Sequence, residues 1–328
     1  KLTKTQAVAL RWLGAARLMR ERQSYEDAAR YARSGLAQRP DPRLRQELAL
    51  ALVGLGDLDA AELQLEAYLR VRPDDRDAAK ILANLLVGRA YARLGDPGAR
   101  GDVRRLVERA LAYHPDEAKA LVLLGRLAHD ERRFADAVRY LEEAVERLPE
   151  FADAKEQRAR SLAALGYERL LARDEPGAVR AWLRCREVAP PGFDLEGIDD
   201  QLALAWERAE ARGVELLQAG DRSAAAAAFR RCLEIDPEQH WAAWLLATAL
   251  HQQPDADLGE LERLCRQAVR WQQGHGLDAS RQVYLLATTL QKQGDAQAAR
   301  DVAAGYLAAP AADAEPQVLA ALRRLADG

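Results

Sequence analysis

Cysteine is scarce in this 328-residue sequence: Cys185, Cys232 and Cys265 are all it has. They stand far apart, so they form no paired CxxC metal pattern, and three thiols cannot all pair with one another. They read as small buried hydrophobes. Histidine is sparse too. His240 and His251 lie three helical turns apart, too far to share a metal ion. His275 sits in the loop QQGHGLD, and His114 and His129 fall at a helix end and on a helix surface, as structural or solvated residues. Glycine-rich phosphate loops, GxSxG elbows and HExxH helices are all missing. The acidic residues scatter over outward helix faces, the pattern of a solvated surface. No catalytic, cofactor-binding or metal-binding constellation is present, so the chain reads as non-enzymatic.

Long hydrophobic runs are missing as well, and none reaches the length of a membrane span. A surplus of basic charge is lacking: the net charge of −3 argues against a general nucleic-acid binder. Aromatics make up only 6% although 49% of the residues are hydrophobic, so much of the apolar content is Ala and Leu, both strong helix formers. Only six of the 48 basic residues are Lys. Richness in Arg and Ala points to a GC-rich bacterial genome. The sequence opens on Lys1 rather than Met, so the N-terminus is expected to be trimmed, and a cytoplasmic or a periplasmic location stays open.

What is present is a repeat. In FADAVRYLEEAVERLPE, Phe134, Ala137, Val138, Leu141, Ala144 and Val145 mark one buried face of a helix. YEDAARYARSGLAQRPD from Tyr25 and RSAAAAAFRRCLEIDPE from Arg222 repeat the pattern. Taking Ala118 to Phe151 as a template predicts a first helix over about 118–131, a tight turn, and a second helix over about 134–147, stopped by Pro149. The eighth place then holds Ala16, Ala49, Gly88, Gly125, Gly166, Gly213, Ala247 and Ala287. The twentieth holds Ala28, Ala61, Val103, Ala137, Ala178, Ala225, Leu261 and Ala299, and the thirty-second holds Pro40, Pro73, Pro115, Pro149, Pro190 and Pro237. Small residues at facing points let two helices approach closely. GLGD, RLGD, QAGD and KQGD end first helices, with Gly for the left-handed turn and Asp to cap the next helix. Eight helical hairpins emerge, followed by a last helix near 316–326. Repeat three carries an extra PGA between its helices. The first helix of repeat five should extend outward through DAKEQR. Pro190, Pro191 and Gly192 break the chain before repeat six. The expected organisation is five repeats over 1–190 and three repeats plus a capping helix over 191–328, read as one solenoid with a bend near 190–198.

Over nearly the whole chain this pattern resembles the tetratricopeptide repeat family. The resemblance implies an all-α, right-handed superhelical solenoid of antiparallel helical hairpins with a C-terminal capping helix. It also implies that each first helix lines a concave groove, where a partner protein or peptide binds. Places 2, 5, 6, 9, 12 and 13 share one helix face, which nominates Arg17 in repeat one, Leu82, Leu85, Leu86, Arg89 and Arg93 in repeat three, and Val122, Leu123 and Arg126 in repeat four. Apolar anchors alternating with arginine suit an acidic, leucine-bearing peptide, because guanidinium groups grip carboxylates in a bidentate fork. The competing reading is a solvated face whose apolar members touch the next repeat. In repeats seven and eight the equivalent face carries Trp241, Trp244, Thr248, Tyr284 and Thr288, as binding anchors or as packing beneath the final helix. Trp12, Trp182 and Phe229 occupy core places.

The ninth places hold no Asn, which speaks against the chaperone-tail binders of the family. The fifth places lack the polar code of the related RNA-reading repeats, and the net charge also disfavours RNA. The function expected from sequence is therefore a non-catalytic scaffold without cofactor or metal. By family analogy its setting is a bacterial envelope, pilus or polysaccharide-export assembly. The alternative is a regulatory or sensor segment of a larger enzyme or signalling protein.

Overall fold

The computed structural model describes residues 4–327. Among these residues the chain forms seventeen α-helices, one short 3-10 turn and no strand. Backbone contacts divide it into two compact units, Lys1–Ala172 with Arg184–Phe193, and Arg173–Leu183 with Asp194–Gly328.

The first unit is a row of hairpins: α1 (Lys4–Glu21) with α2 (Tyr25–Gln38), α3 (Pro42–Gly54) with α4 (Leu58–Leu69), α5 (Arg76–Arg93) with α6 (Arg100–Tyr113), α7 (Ala118–Asp130) with α8 (Phe134–Arg147), and then α9 (Ala152–Leu171). Each helix packs on the next, and first helices also touch across hairpins, α1 on α3, α5 on α7 and α7 on α9. A hydrophobic core runs without interruption from Ala16 through Leu65 and Leu86 to Leu127. As expected, α9 begins early and takes in DAKEQR, and PGA forms the 3-10 turn Pro97–Ala99 between α5 and α6.

The helix α10 (Glu175–Val188) gives residues 175–183 to the second unit and 184–188 to the first. The second unit continues with α11 (Glu196–Gln218) on α12 (Arg222–Ile235), α13 (His240–His251) on α14 (Leu258–Gly274), and α15 (Ser280–Lys292) on α16 (Ala296–Leu307). A last helix, α17 (Pro316–Asp327), packs on both α15 and α16. It buries Leu322 completely and covers the apolar end that a terminal hairpin would otherwise expose.

The turns follow from their residues. Gly56, Gly220 and Gly294 adopt φ of +77°, +84° and +88°, the left-handed conformation that ends a helix without a Cβ penalty. The next residues, Asp57, Asp221 and Asp295, accept bonds from the backbone N–H of Ala60, Ala224 and Ala298. In three other hairpins Gln23, Arg132 and Arg173 hold the same conformation at φ of about +60°. Gly95 does not: the inserted turn replaces the expected one, and capping passes to Asp96, which accepts from Gly98 N–H.

The facing small residues hold in most repeats and fail in one. A Cβ on Gly125 would stand 2.5 Å from Leu141 Cγ, and one on Gly213 would stand 2.5 Å from the Phe229 ring. Ala137 and Ala225 are fully buried. Gly88, however, is exposed and a Cβ there would meet nothing within 4 Å. The close contacts of α5 fall instead to Ala83 and Ala90, both fully buried. The α5 helix is 18 residues long against 13 for α7, and counting from Pro73 as α7 follows Pro115 puts Ala83, not Gly88, at the eighth place, so every place assigned to α5 moves by five residues.

Candidate functional site

The four nominated arginines of the first unit already face carboxylates. Arg17 Nε lies 3.2 Å from Glu47 Oε1 on α3, and Arg20 Nε lies 2.8 Å from Oε2 of the same residue. Glu47 is only 4% exposed, so two cations hold one buried carboxylate. Arg89 is half-buried against α4, where it pairs with Asp59 and Glu62. Arg109 joins the same cluster, 2.5 Å from Glu62 and 2.6 Å from Glu66. Arg93 reaches Asp102 at 3.5 Å, and Arg126 stands 3.9 Å from Asp153. Sequence reasoning missed these acids, although Asp59, Glu62 and Glu66 recur at the three- and four-residue spacing that puts them on one helix face.

The apolar residues expected between those arginines are core instead. Leu82, Leu86, Val122 and Leu123 are fully buried and Leu85 is 8% exposed, so none offers a partner an open surface. Two physical reasons account for the correction. The register shift in α5 turns Leu82 and Leu86 into the core. In α7, packing against α5 and α6 on one side and α8 and α9 on the other leaves little free face: Leu123 joins the main core while Val122 joins a second cluster with Leu141 and Ala154.

In the second unit two of the three nominated aromatics, Trp244 and Tyr284, line a cavity. Trp244 and Thr248 of α13, Tyr284 and Leu285 of α15 and Val318 of α17 surround a shallow space of about 170 Å³. It lies on the side of the first helices of each hairpin. Tyr284 is 37% exposed and Trp244 half-buried, so the rings offer open edges above a closed floor. Trp241 is 44% exposed but does not line this space. It sits one turn before Trp244, rotated out of the wall.

The polar groups of the cavity are unevenly satisfied. Thr248 Oγ1 donates to Trp244 O at 2.9 Å, a back-bond that spends the hydroxyl on its own helix; Thr288, also nominated, does not line the space. His251 also lines the cavity, with Nδ1 buried and without a hydrogen-bond partner. Burial, helped by the Lys292 charge, pushes its pKa below the ordinary histidine value, so the ring is neutral at pH 7. The Lys292 ammonium itself is held 2.9 Å from His251 O. Arg281 stands at the rim, paired with Glu315. His251, Gln252, Arg281 and Val318 were not nominated from sequence. The helical spacing of His251 from Trp244 and Thr248 could have found the first; only packing of α17 could have found Val318.

Elsewhere the chemistry is quiet. Cys185, Cys232 and Cys265 are fully buried and free, and burial pushes their thiols up to about 11, 11 and 12, which keeps them protonated at pH 7. Trp182 and Phe229 are core residues, as expected. Trp12 is half-buried and donates Nε1–H to Gln38 at 3.2 Å. Among the described residues no cluster of three or more His, Cys, Asp or Glu could hold a metal ion, and no helix is long and apolar enough to cross a membrane.

The profile described as "Tetratricopeptide repeat" matches residues 47–99, 103–150 and 210–269. Among solved structures, "MamA 41-end from Desulfovibrio magneticus RS-1" is similar at 20% identity and a TM-score of 0.36, over 55% of this chain and 94% of that one. A "Crystal structure of MamA protein" is similar at 14% identity and a TM-score of 0.39, over 57% of this chain and 98% of that one. The "TPR2AB-domain:pHSP90-complex of yeast Sti1" is similar at 14% identity and a TM-score of 0.35, over 98% of this chain and 96% of that one. No curated protein matches the chain.

Proposed function

Since this chain belongs to the tetratricopeptide-repeat family, we propose that its second unit binds a partner peptide on the first-helix side, with an apolar side chain seated between Trp244 and Tyr284. Arrays of such repeats are protein-interaction scaffolds, and the question is which surface this one uses. The observation that carries the reading is the open cavity walled by two aromatic rings, with Thr248 between them and the unpartnered His251 Nδ1 at its side. Aromatic side chains favour interfaces because one face can stay apolar while an edge meets water.

In the first unit the proposal narrows to the arginines that keep exposed guanidinium surface. As side chains Arg17 is 62% exposed, Arg93 is 48% exposed with a 3.5 Å contact to Asp102, and Arg126 is 35% exposed with a long contact to Asp153. An acidic partner there would compete with Glu47, Asp102 and Asp153 rather than meet free cations, so its gain would be at the low end of surface ion pairs, about 0–1 kcal/mol each. The setting carried from the sequence reading, a bacterial envelope, pilus or polysaccharide-export assembly, rests on family analogy. Fractionation of the source cells with an antibody to the chain tests it.

The binding test is selection of peptides from a displayed library on the intact chain, followed by calorimetric titration. Trp244→Ala with Tyr284→Ala should weaken the selected peptides about tenfold or more, with unchanged circular dichroism. Equal affinity for the double variant would defeat the proposal.

A further inference from the structure

We propose a second binding site in the same unit, a trough between α10, α11 and α12 that takes an acidic peptide segment. The space measures about 410 Å³, more than twice the aromatic cavity. Its walls are helical stripes. Ala205, Arg208, Ala209 and Arg212 recur at three- and four-residue steps along α11, and Ala227, Arg230, Arg231 and Glu234 do so along α12. Stripes spaced over two turns make an elongated trough, about 10 Å long by helix rise. Such a shape suits a stretch of chain better than a compact ion.

The floor and the rim differ in chemistry. Val179, Ala205, Ala228 and Ile235 form an apolar floor, each under 9% exposed. Five arginines stand on the rim against two glutamates, Glu175 and Glu234. Three of the five are shared with acids: Arg208 with Glu175 at 3.2 Å, Arg212 with Glu215 at 3.2 Å and Arg230 with Glu260 at 2.6 Å. Glu215 and Glu260 do not line the trough, so they turn charge away from it without filling it. Arg180 on α10 and Arg231 on α12 have no ion-pair partner among the described residues and are exposed on opposite walls. Two free guanidinium groups across an apolar floor complement a segment that carries carboxylates on both edges and a small apolar side chain between them. This is the pairing expected from sequence for the first unit, where internal acids already occupy the arginines. The trough uses other residues than the Trp244 cavity, and neither site requires the other.

The test titrates the intact chain into a fluorescein-labelled peptide of repeating Glu-Leu-Glu units at low salt, read by anisotropy. The parent chain should bind, and Arg180→Glu with Arg231→Glu should cut affinity about tenfold or more. Arg180→Gln with Arg231→Gln should give a smaller loss, which guards against misfolding of the reversed variant. Trp244→Ala with Tyr284→Ala should leave this binding unchanged, which separates the trough from the cavity. No binding by the parent, equal binding by the reversed variant, or equal binding of a peptide with Lys in place of Glu would overturn the proposal. Displacement of the peptide by pyrophosphate at equal concentration would also overturn it, since the ligand would then be a small polyanion.

Discussion

Two glycine-to-alanine substitutions in the first unit should change stability in opposite directions, though the repeat template puts both at its eighth place. Gly125→Ala introduces a Cβ 2.5 Å from Leu141 Cγ and 2.9 Å from Cδ2, closer than carbon atoms can approach. Leu141 is fully buried, so it has no open space to move into. Overpacking of this kind costs about 1–3 kcal/mol. Alanine returns about 0.8–1 kcal/mol in helix propensity, so the net effect is a loss of up to about 2 kcal/mol. Gly88→Ala meets nothing within 4 Å and sits in the interior of α5, so only the propensity acts and the chain should gain about 0.8–1 kcal/mol. The assay is urea unfolding followed by far-UV circular dichroism. It compares midpoints rather than extrapolated free energies, because repeat arrays can depart from two-state behaviour. A lowered midpoint for Gly88→Ala, or a raised one for Gly125→Ala, would refute these register assignments for α5 and α7.

Other outcomes follow from the same structure. Arg132 holds φ of +60°, so Arg132→Gly should stabilise the turn between α7 and α8 by about 1 kcal/mol, read as a raised urea midpoint. His129, His240 and His251 all have pKa values lowered chiefly by burial, so the folded chain resists protonating them while the unfolded chain does not. Stability should therefore be flat above the unfolded value of about 6.5 and fall as pH drops below it. His251→Gln should flatten part of that fall in a series of thermal melts. The thiols of Cys185, Cys232 and Cys265 should resist a soluble thiol reagent in the folded chain and all react in denaturant; prompt labelling of any of them would contradict their burial.

The helices were legible because their causes are local. The Ala, Gly and Pro periodicity placed α7 and α8 to within a residue, and Asp after Gly marked three of the caps. The last helix was found from Pro316 and the pattern that follows. What failed was the assignment of faces. Leu82 and Leu86 were nominated for a groove because the eighth place of repeat three was set at Gly88, which is exposed, whereas the buried small residues of α5 are Ala83 and Ala90. Val122 and Leu123 failed for a different reason: a first helix is flanked by two hairpins, and how much of its face stays open depends on distances that no single repeat encodes. The partners of Arg17, Arg89 and Arg126 lie on other helices for the same reason. Trp244, Thr248 and Tyr284 come to line one cavity because two successive repeats place them at matching positions, and matching positions in a stack become neighbours.

The most direct test of the account is amide hydrogen exchange on the chain with and without a peptide selected by binding. The account predicts added protection in α13 around Trp244 to His251, in α15 around Tyr284 and in α17 near Val318. Protection confined to the first unit, or absent from these three helices while the peptide is bound, would contradict it.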